Sequence, residues 1–222
     1  MSEYIKLLLN GYDDKIIAKT KYATFDLDDT LIKTKSGKKF GIDENDYEIK
    51  YDNIQKKVEN LCKKNYKIVI VTNQAKLKDD ITIAKFISKM ELISKILNVP
   101  CKILIANKNN IYRKPMIGFE NELVNMNKKK SFFCGDAAGR KNDFADTDRK
   151  FALNLEINFY TPEEYFLNKE SEKYELKYPM LPKNDNIEIL LHKKNIDNNN
   201  KVCIIMTGYQ GAGKSSFINK YL

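Results

Sequence analysis

The chain has a single histidine, His192, and no tryptophan among its 222 residues. One histidine in a polar segment is a poor partner for a serine or cysteine nucleophile, so triad chemistry is discounted. The four cysteines, Cys62, Cys101, Cys134 and Cys203, are scattered and form no Cys-x-x-Cys pair. That pattern disfavours a disulfide framework and a Cys/His zinc site, and it fits a reducing compartment. No apolar run approaches the roughly 20 residues needed to span a bilayer. Leu7-Leu8-Leu9 is a short apolar run with no small-residue cleavage site behind it, so no secretory signal is read. The expectation is an intracellular protein, cytoplasmic or nuclear, with no membrane partner. Acidic charge is in deficit: 39 basic residues face 30 acidic ones, a formal net charge of +9. Such an excess favours a polyanionic partner, nucleic acid first.

Strand and helix signals alternate along the chain. Tyr22 to Phe25 reads as a strand leading into an acidic turn, and residues 31–40 read as a short basic hairpin with Ser36-Gly37 at its turn. Helical spacing of Ile54, Val58 and Leu61 predicts a helix over 52–64. Tyr66 to Val71 is the apolar run of a strand buried in a parallel sheet. Asp79 and Asp80 can cap a helix over 81–97 that stops before Pro100. A strand over Cys101–Ala106, a helix over 116–126, a strand over Ser131–Cys134, a helix over 145–153 and a strand over 156–160 follow. Thr161-Pro162-Glu163-Glu164 is a helix start. This order predicts a parallel α/β sheet with helices on both faces. Residues 1–168 are expected to form that domain, 169–200 a charged, proline-bearing linker, and 201–222 the start of a second βα unit.

In open sheets of this kind ligands bind beyond the carboxyl ends of the strands. Those ends carry Asp26-Leu27-Asp28-Asp29-Thr30, Thr72-Asn73-Gln74, Arg113-Lys114-Pro115, and Gly135-Asp136 with Asp143 seven residues on. Clustered carboxylates repel one another unless a cation joins them, and oxygen-only ligands suit Mg²⁺. A carboxylate nucleophile forming an aspartyl-phosphate is the chemistry such a set can perform. Asn73 and Gln74 are read as satisfying backbone groups.

These residues and their order resemble the haloacid dehalogenase superfamily. The strings FDLDDTLIKTKSGKKF, IVIVTNQ, IYRKP and FFCGDAAGRKNDFADTDRKFALNLEINFYTPEEYF resemble the 3′-phosphatase domain of bifunctional polynucleotide phosphatase/kinases, over residues 20–168. The resemblance implies a haloacid-dehalogenase-like sheet with a minimal hairpin flap and no large cap. It implies Asp26 as nucleophile, Asp28 as the acid and then the base, and Thr30 orienting Asp28. Thr72 and Lys114 would bind the transferring phosphoryl group. Asp26, the backbone carbonyl of Asp28, and Asp136 would hold Mg²⁺, with Asp143 as a further acid. Asp148 would orient Arg149 or cap a helix. Asp29 stands where the family commonly has Gly. Lys35, Lys38 and Lys39 on the hairpin, with Arg113 and Arg140 flanking the site, are expected to contact nucleic-acid phosphates.

Gly208-Tyr209-Gln210-Gly211-Ala212-Gly213-Lys214-Ser215 fits the phosphate-loop pattern G-x-x-x-x-G-K-[ST] in full. Gly208, Gly211 and Gly213 would let backbone N–H groups wrap the phosphates of ATP, Lys214 would reach them, and Ser215 would ligate Mg²⁺. In the family the resemblance points to, the 5′-kinase begins at such a loop. Here only a few residues follow it, so an incomplete kinase start is expected and 5′-kinase activity is not.

The function read from these features is a monomeric, Mg²⁺-dependent polynucleotide 3′-phosphatase in strand-break repair, acting on DNA ends before RNA. One rival is a small-molecule phosphomonoesterase of the same superfamily. Histidinol-phosphate phosphatases are the nearest such group, but their Cys/His zinc loop is missing. The other rival is a nucleic-acid end-binding protein without catalysis, which the joint presence of Asp26, Asp28, Lys114 and Asp136 argues against.

Overall fold

The computed structural model describes residues 3–15, 20–38, 41–43, 45–177, 213, 215 and 216. The chain divides into two units, Met1–Leu181 and Pro182–Leu222, and the account of the fold concerns the first. Its strands are β1 (Ile5–Leu9), β2 (Lys21–Phe25), β3 (Ile32–Lys33), β4 (Glu48–Ile49), β5 (Tyr66–Asn73), β6 (Cys101–Ala106), β7 (Phe132–Cys134) and β8 (Asn158–Tyr160). Its helices are α1 (Ile54–Lys63), α2 (Asp80–Leu97), α3 (Thr147–Asn154) and α4 (Pro162–Leu167).

Six strands form one sheet in the order β1-β6-β5-β2-β7-β8. All its pairings are parallel except that of β1, which lies antiparallel on β6 at the edge. The continuous apolar runs of β5 and β6 follow from burial on both faces. Alternate residues feed two cores. Phe25, Ile68, Ile70 and Ile103 pack with Val58 of α1, Met90 of α2 and Phe166 of α4. Tyr22, Val69, Val71 and Leu104 pack on the other face with Phe151 of α3 and Phe119. The α2 start is set by a capping box, in which the Asp79 carboxylate accepts from Thr82 N at 2.8 Å. Thr161 and Glu164 form the same device at α4, with Pro162 in the first turn.

Two expectations change. Residues 116–126 form no α-helix: a short 3₁₀ turn, Gly118–Glu122, stands there instead. Gly118 N donates to Ile111 O at 2.9 Å, and a Cβ at Gly118 would sit 2.6 Å from that same oxygen. The close approach ties the segment back on itself before a helix can propagate. The basic hairpin is also wider than 31–40, because the partner of β3 is β4. The excursion between them is gathered around the buried Asp46 carboxylate, which accepts from Ser36 N (2.8 Å), Ser36 Oγ (2.6 Å) and Ile42 N (2.9 Å). These donors hold its carboxyl down at about 2, the Ser36 hydroxyl contributing most. Among the described residues no helix is long and apolar enough to cross a membrane.

From β2 the chain crosses over through α1 to β5 on one side and, after β6, returns to lay β7 on the other side of β2, a change of direction that opens a crevice beyond the carboxyl end of β2. The small flap stands over that crevice. Replacing Asp46 with Ala should release the flap while the sheet stays intact. Trypsin should then cut after the exposed Lys35 and Lys38 several-fold faster, with little change in melting temperature. An unchanged cleavage rate would show that Asp46 does not hold the flap.

Candidate active site

Asp26 is the first residue beyond β2. Its N–H continues the ladder to Cys134 O at 2.8 Å, which aims its side chain into the crevice floor. The carbonyl of Leu27 then accepts from Leu31 N (2.9 Å) and Ile32 N (3.1 Å), curling the chain so that Asp28 faces solvent. Asp29, at φ 54, supplies the left-handed residue in that curl.

Lys114 reaches the floor from the loop after β6. Its Nζ lies 2.5 Å from Asp26 Oδ1 and 2.8 Å from Asp148 Oδ1. Asn73 holds its backbone from both sides: Lys114 N donates to Asn73 Oδ1 at 3.0 Å, and Asn73 Nδ2 donates to Lys114 O at 3.1 Å. The Lys114–Pro115 peptide is cis. Thr72 is buried beside it, and its Oγ1 accepts from Gln74 Nε2 at 2.9 Å.

Asp26, Asp136 and Asp148 can each present an oxygen such that all three lie within 4.8 Å of one another. Burial of these carboxylates carries an electrostatic cost. Burial pushes the Asp26 carboxyl well up, Asp148 and Asp136 add to this, and Lys114 opposes it. Burial raises Asp136 to about 7, with Asp148 the next contributor. For Lys114, burial alone would favour the neutral amine, but Asp148 and Asp26 more than reverse it and keep the ammonium charged. Three carboxylates against one ammonium leave an excess of negative charge that a divalent cation would neutralise. The all-oxygen donor set fits a hard ion. Gly135 is required here: a Cβ on it would sit 2.6 Å from Asp148 Cγ and drive that carboxylate out.

Several residues stand elsewhere than the resemblance implied. Asp143 lies outside the carboxylate cluster. Its oxygens are occupied by Ala138 N (3.1 Å), Arg140 N (3.0 Å) and Arg140 Nε (2.9 Å), so it shapes the loop, and the third carboxylate is Asp148. Asp148 does not serve Arg149, whose Nε donates to Ala138 O at 2.7 Å and whose guanidinium lies over the Phe159 and Tyr174 rings. Thr30 Oγ1 is 3.4 Å from Asp136 Oδ1 and does not orient Asp28. Gln74 does so instead, Nε2 donating to Asp28 Oδ2 at 2.7 Å. Arg140 is paired with Asp143 and with Glu163 (2.8 Å). Gln74 and Asn73 were legible only as strand-end polar residues; their position beside Thr72 was the available signal.

A cleft of about 730 Å³ opens above the carboxylates. The flap contributes Ile32 and Tyr47 to its wall, and α2 contributes Phe86 and Lys89, whose Nζ lies 5.0 Å from the Tyr47 ring centroid. Arg113 also lines it, with one terminal nitrogen buried and without a partner among the described residues. Lys35 and Lys38 are exposed on the flap. Lys39, Gly208, Gly211 and Lys214 lie outside the described residues. Gly213 has φ 81, and Ser215 is helical and exposed.

Residues 21–166 match the family model described as polynucleotide kinase 3 phosphatase. The chain is 34% identical to the bifunctional polynucleotide phosphatase/kinase of Schizosaccharomyces pombe, over 88% of this chain and 50% of the relative. It is 34% identical to the Arabidopsis thaliana polynucleotide 3′-phosphatase ZDP, over 70% of this chain and 25% of the relative. The chain thus spans half or less of these relatives. Solved haloacid-dehalogenase-like phosphatases share its fold. The D,D-heptose 1,7-bisphosphate phosphatase of B. bronchiseptica, complexed with magnesium and phosphate, superposes with a TM-score of 0.50 and 14% identity, over 71% of this chain and 91% of that one.

The raised Asp136 carboxyl has a consequence for stability. Unfolded, it ionises near the ordinary value of about 3.9. Folded, it holds its proton to about pH 7. Between these values the folded state binds more protons, so metal-free stability falls as pH rises from about 4 to about 7. Asp136→Asn should therefore melt close to wild type only below about pH 4 in chelator, and progressively higher than wild type as pH rises to about 8. The gain should be about 2–4 °C for each kcal/mol of repulsion relieved. Equal melting temperatures at pH 8 would show that the carboxylates are not crowded.

Proposed function

Because residues 21–166 carry its model, the chain belongs to the polynucleotide kinase 3 phosphatase family, and from that premise we propose that it is a Mg²⁺-dependent polynucleotide 3′-phosphatase acting on DNA ends. The observation that carries the proposal is a buried carboxylate at a strand end, Asp26, paired at 2.5 Å with Lys114 and beside two further carboxylates. That arrangement suits a carboxylate that must meet a phosphate dianion.

An oxygen of Asp26 attacks phosphorus, forming the Asp26–phosphate bond as the bond to O3′ breaks. Asp28, turned toward the cleft by Gln74, gives its proton to O3′. Water then attacks the aspartyl-phosphate, its proton passes to Asp28, and Asp26 is released with inorganic phosphate. Lys114, fixed by Asp148 and Asn73, and the Thr72 hydroxyl bind the oxygens of the transferring group. Mg²⁺, held by Asp26, the Asp28 carbonyl and Asp136 with Asp148 beside them, would neutralise the charge that otherwise keeps phosphate and carboxylate apart. Thr30 steadies Asp136.

A net charge of +9 and exposed Lys35 and Lys38 on the flap support a polynucleotide as substrate over a small phosphoester. Arg113, lining the cleft, suits a phosphate of the same strand.

The division of labour between the two aspartates tests the reading. Asp26→Asn should abolish Mg²⁺-dependent phosphate release from a 3′-phosphorylated oligonucleotide and from p-nitrophenyl phosphate alike. Asp28→Asn should slow phosphorylation from the oligonucleotide by about 10²- to 10⁴-fold, because a sugar alkoxide needs a proton to leave. Nitrophenolate leaves without one, so rapid mixing should show a burst of nitrophenol followed by slow hydrolysis. Equal losses on the two substrates would remove Asp28 as the acid.

A further inference from the structure

We infer that Glu163 is a positioning residue that sets the spacing between the two halves of the carboxylate site. The inference rests on the metal reading above, and it concerns a residue outside the chemistry. Asp26 and Asp28 come from the loop after β2, and Asp136 from the loop after β7. The ladder between β2 and β7 reaches only as far as Asp26 N, which donates to Cys134 O; beyond it the two loops are tied directly by the long 3.4 Å contact of Thr30 Oγ1 with Asp136 Oδ1.

Glu163 lies between them, in the first turn of α4. Its Oε2 accepts from Arg140 Nη1 at 2.8 Å. Its Oε1 accepts from Tyr51 Oη at 2.9 Å and faces Lys50 Nζ at 3.4 Å. Each cation continues onto a main-chain carbonyl next to the site. Lys50 Nζ donates to Asp29 O at 2.5 Å, and Arg140 Nη2 lies 3.4 Å from Asp136 O. One carboxylate thus draws two arms together, one ending on each loop. It stays ionised: burial would raise its carboxyl, but the hydrogen bond from Arg140, with Lys50 and Tyr51, brings it to about 2.

The anchor itself is rigid. Phe166 of α4 is buried in the core, Asn53 Nδ2 donates to Phe166 O at 2.7 Å, and the Thr161–Glu164 box fixes the helix start. Loss of Glu163 would not undo the β7 loop, because Arg140 keeps Asp143 at 2.9 Å and Glu172 at 3.7 Å. It would remove the link between the arms.

The test is calorimetric titration of the full chain with Mg²⁺, at a temperature well below the melting point of every variant. Partners behind metal ligands typically alter affinity by about 10- to 100-fold. Glu163→Ala should weaken Mg²⁺ binding by about 10-fold or more on that scale. Glu163→Gln should lie between it and wild type, since one amide oxygen can serve one arm but not both. Lys50→Met, which cuts only the β2 arm, should also weaken binding, and should add little in the Glu163→Ala background. Glu163→Ala with lowered melting temperature but wild-type Mg²⁺ affinity would overturn the inference and leave a merely structural residue. Additive losses for Lys50→Met and Glu163→Ala would overturn it too, because the arm would then act independently. Absence of Mg²⁺ binding by wild type would overturn the metal reading, and this inference with it.

Discussion

The ammonium of Lys114 is buried between Asp26 and Asp148, with Asp136 alongside, and the rest of the site depends on that arrangement. A buried carboxylate without compensation gives up its charge, and a protonated Asp26 would be a far weaker nucleophile toward phosphorus than the carboxylate. One lysine cannot compensate three carboxylates. The cluster is therefore under electrostatic stress that a divalent cation would relieve. In the proposed mechanism, the cation that restores the charge of Asp26 also screens the phosphate that Asp26 must attack.

Much of the surrounding structure serves to hold that stress in place. Asn73 clamps the backbone of Lys114, Gly135 leaves room for the Asp148 carboxylate, and Thr30 reaches Asp136. The segment beyond α4 returns to the β7 loop. Glu175 N donates to Gly139 O at 2.9 Å, Lys177 N to Asp146 Oδ2 at 2.8 Å, and the Tyr174 ring lies 3.6 Å from the Arg149 guanidinium carbon. Residues 172–177, read from composition as part of a linker, thus brace the loop that carries Asp136 and the start of α3 that carries Asp148. Charge and proline content cannot reveal such packing, because it depends on one aromatic ring meeting one guanidinium.

The parts of the fold that were legible are those whose signals are long. The runs of β5 and β6 and the capped, proline-bounded α2 each commit many residues to one periodicity. β3 and β4 have two residues each, too few to show alternation, so the flap's second arm was misplaced. The segment after Pro115 had suitable composition for a helix, but Gly118 against Ile111 decided otherwise. In the site, residues at strand ends could be located because a parallel sheet gathers such ends in one crevice. Asp143 and Asp148 could not be separated by spacing alone. Both follow Asp136 within one loop and helix start, and the difference lies in three N–H donors that occupy Asp143 while Asp148 faces Lys114. Likewise Thr30 and Gln74 both lie near Asp28 in any sketch of the strand ends, and only the curl at Leu27 turns Thr30 toward Asp136.

If crowded carboxylates awaiting a cation are the organising constraint, entry of Mg²⁺ must expel protons. The direct measurement is Mg²⁺ titration at pH 7 in buffers of different ionisation enthalpy, from which the number of protons released is obtained. With Asp136 raised to about 7 and Asp26 also raised, release of about half a proton or more per ion is expected. That release should fall away in Asp136→Asn. Mg²⁺ binding with no proton release at pH 7 would show that the carboxylates are already fully ionised without the metal, and would contradict the account.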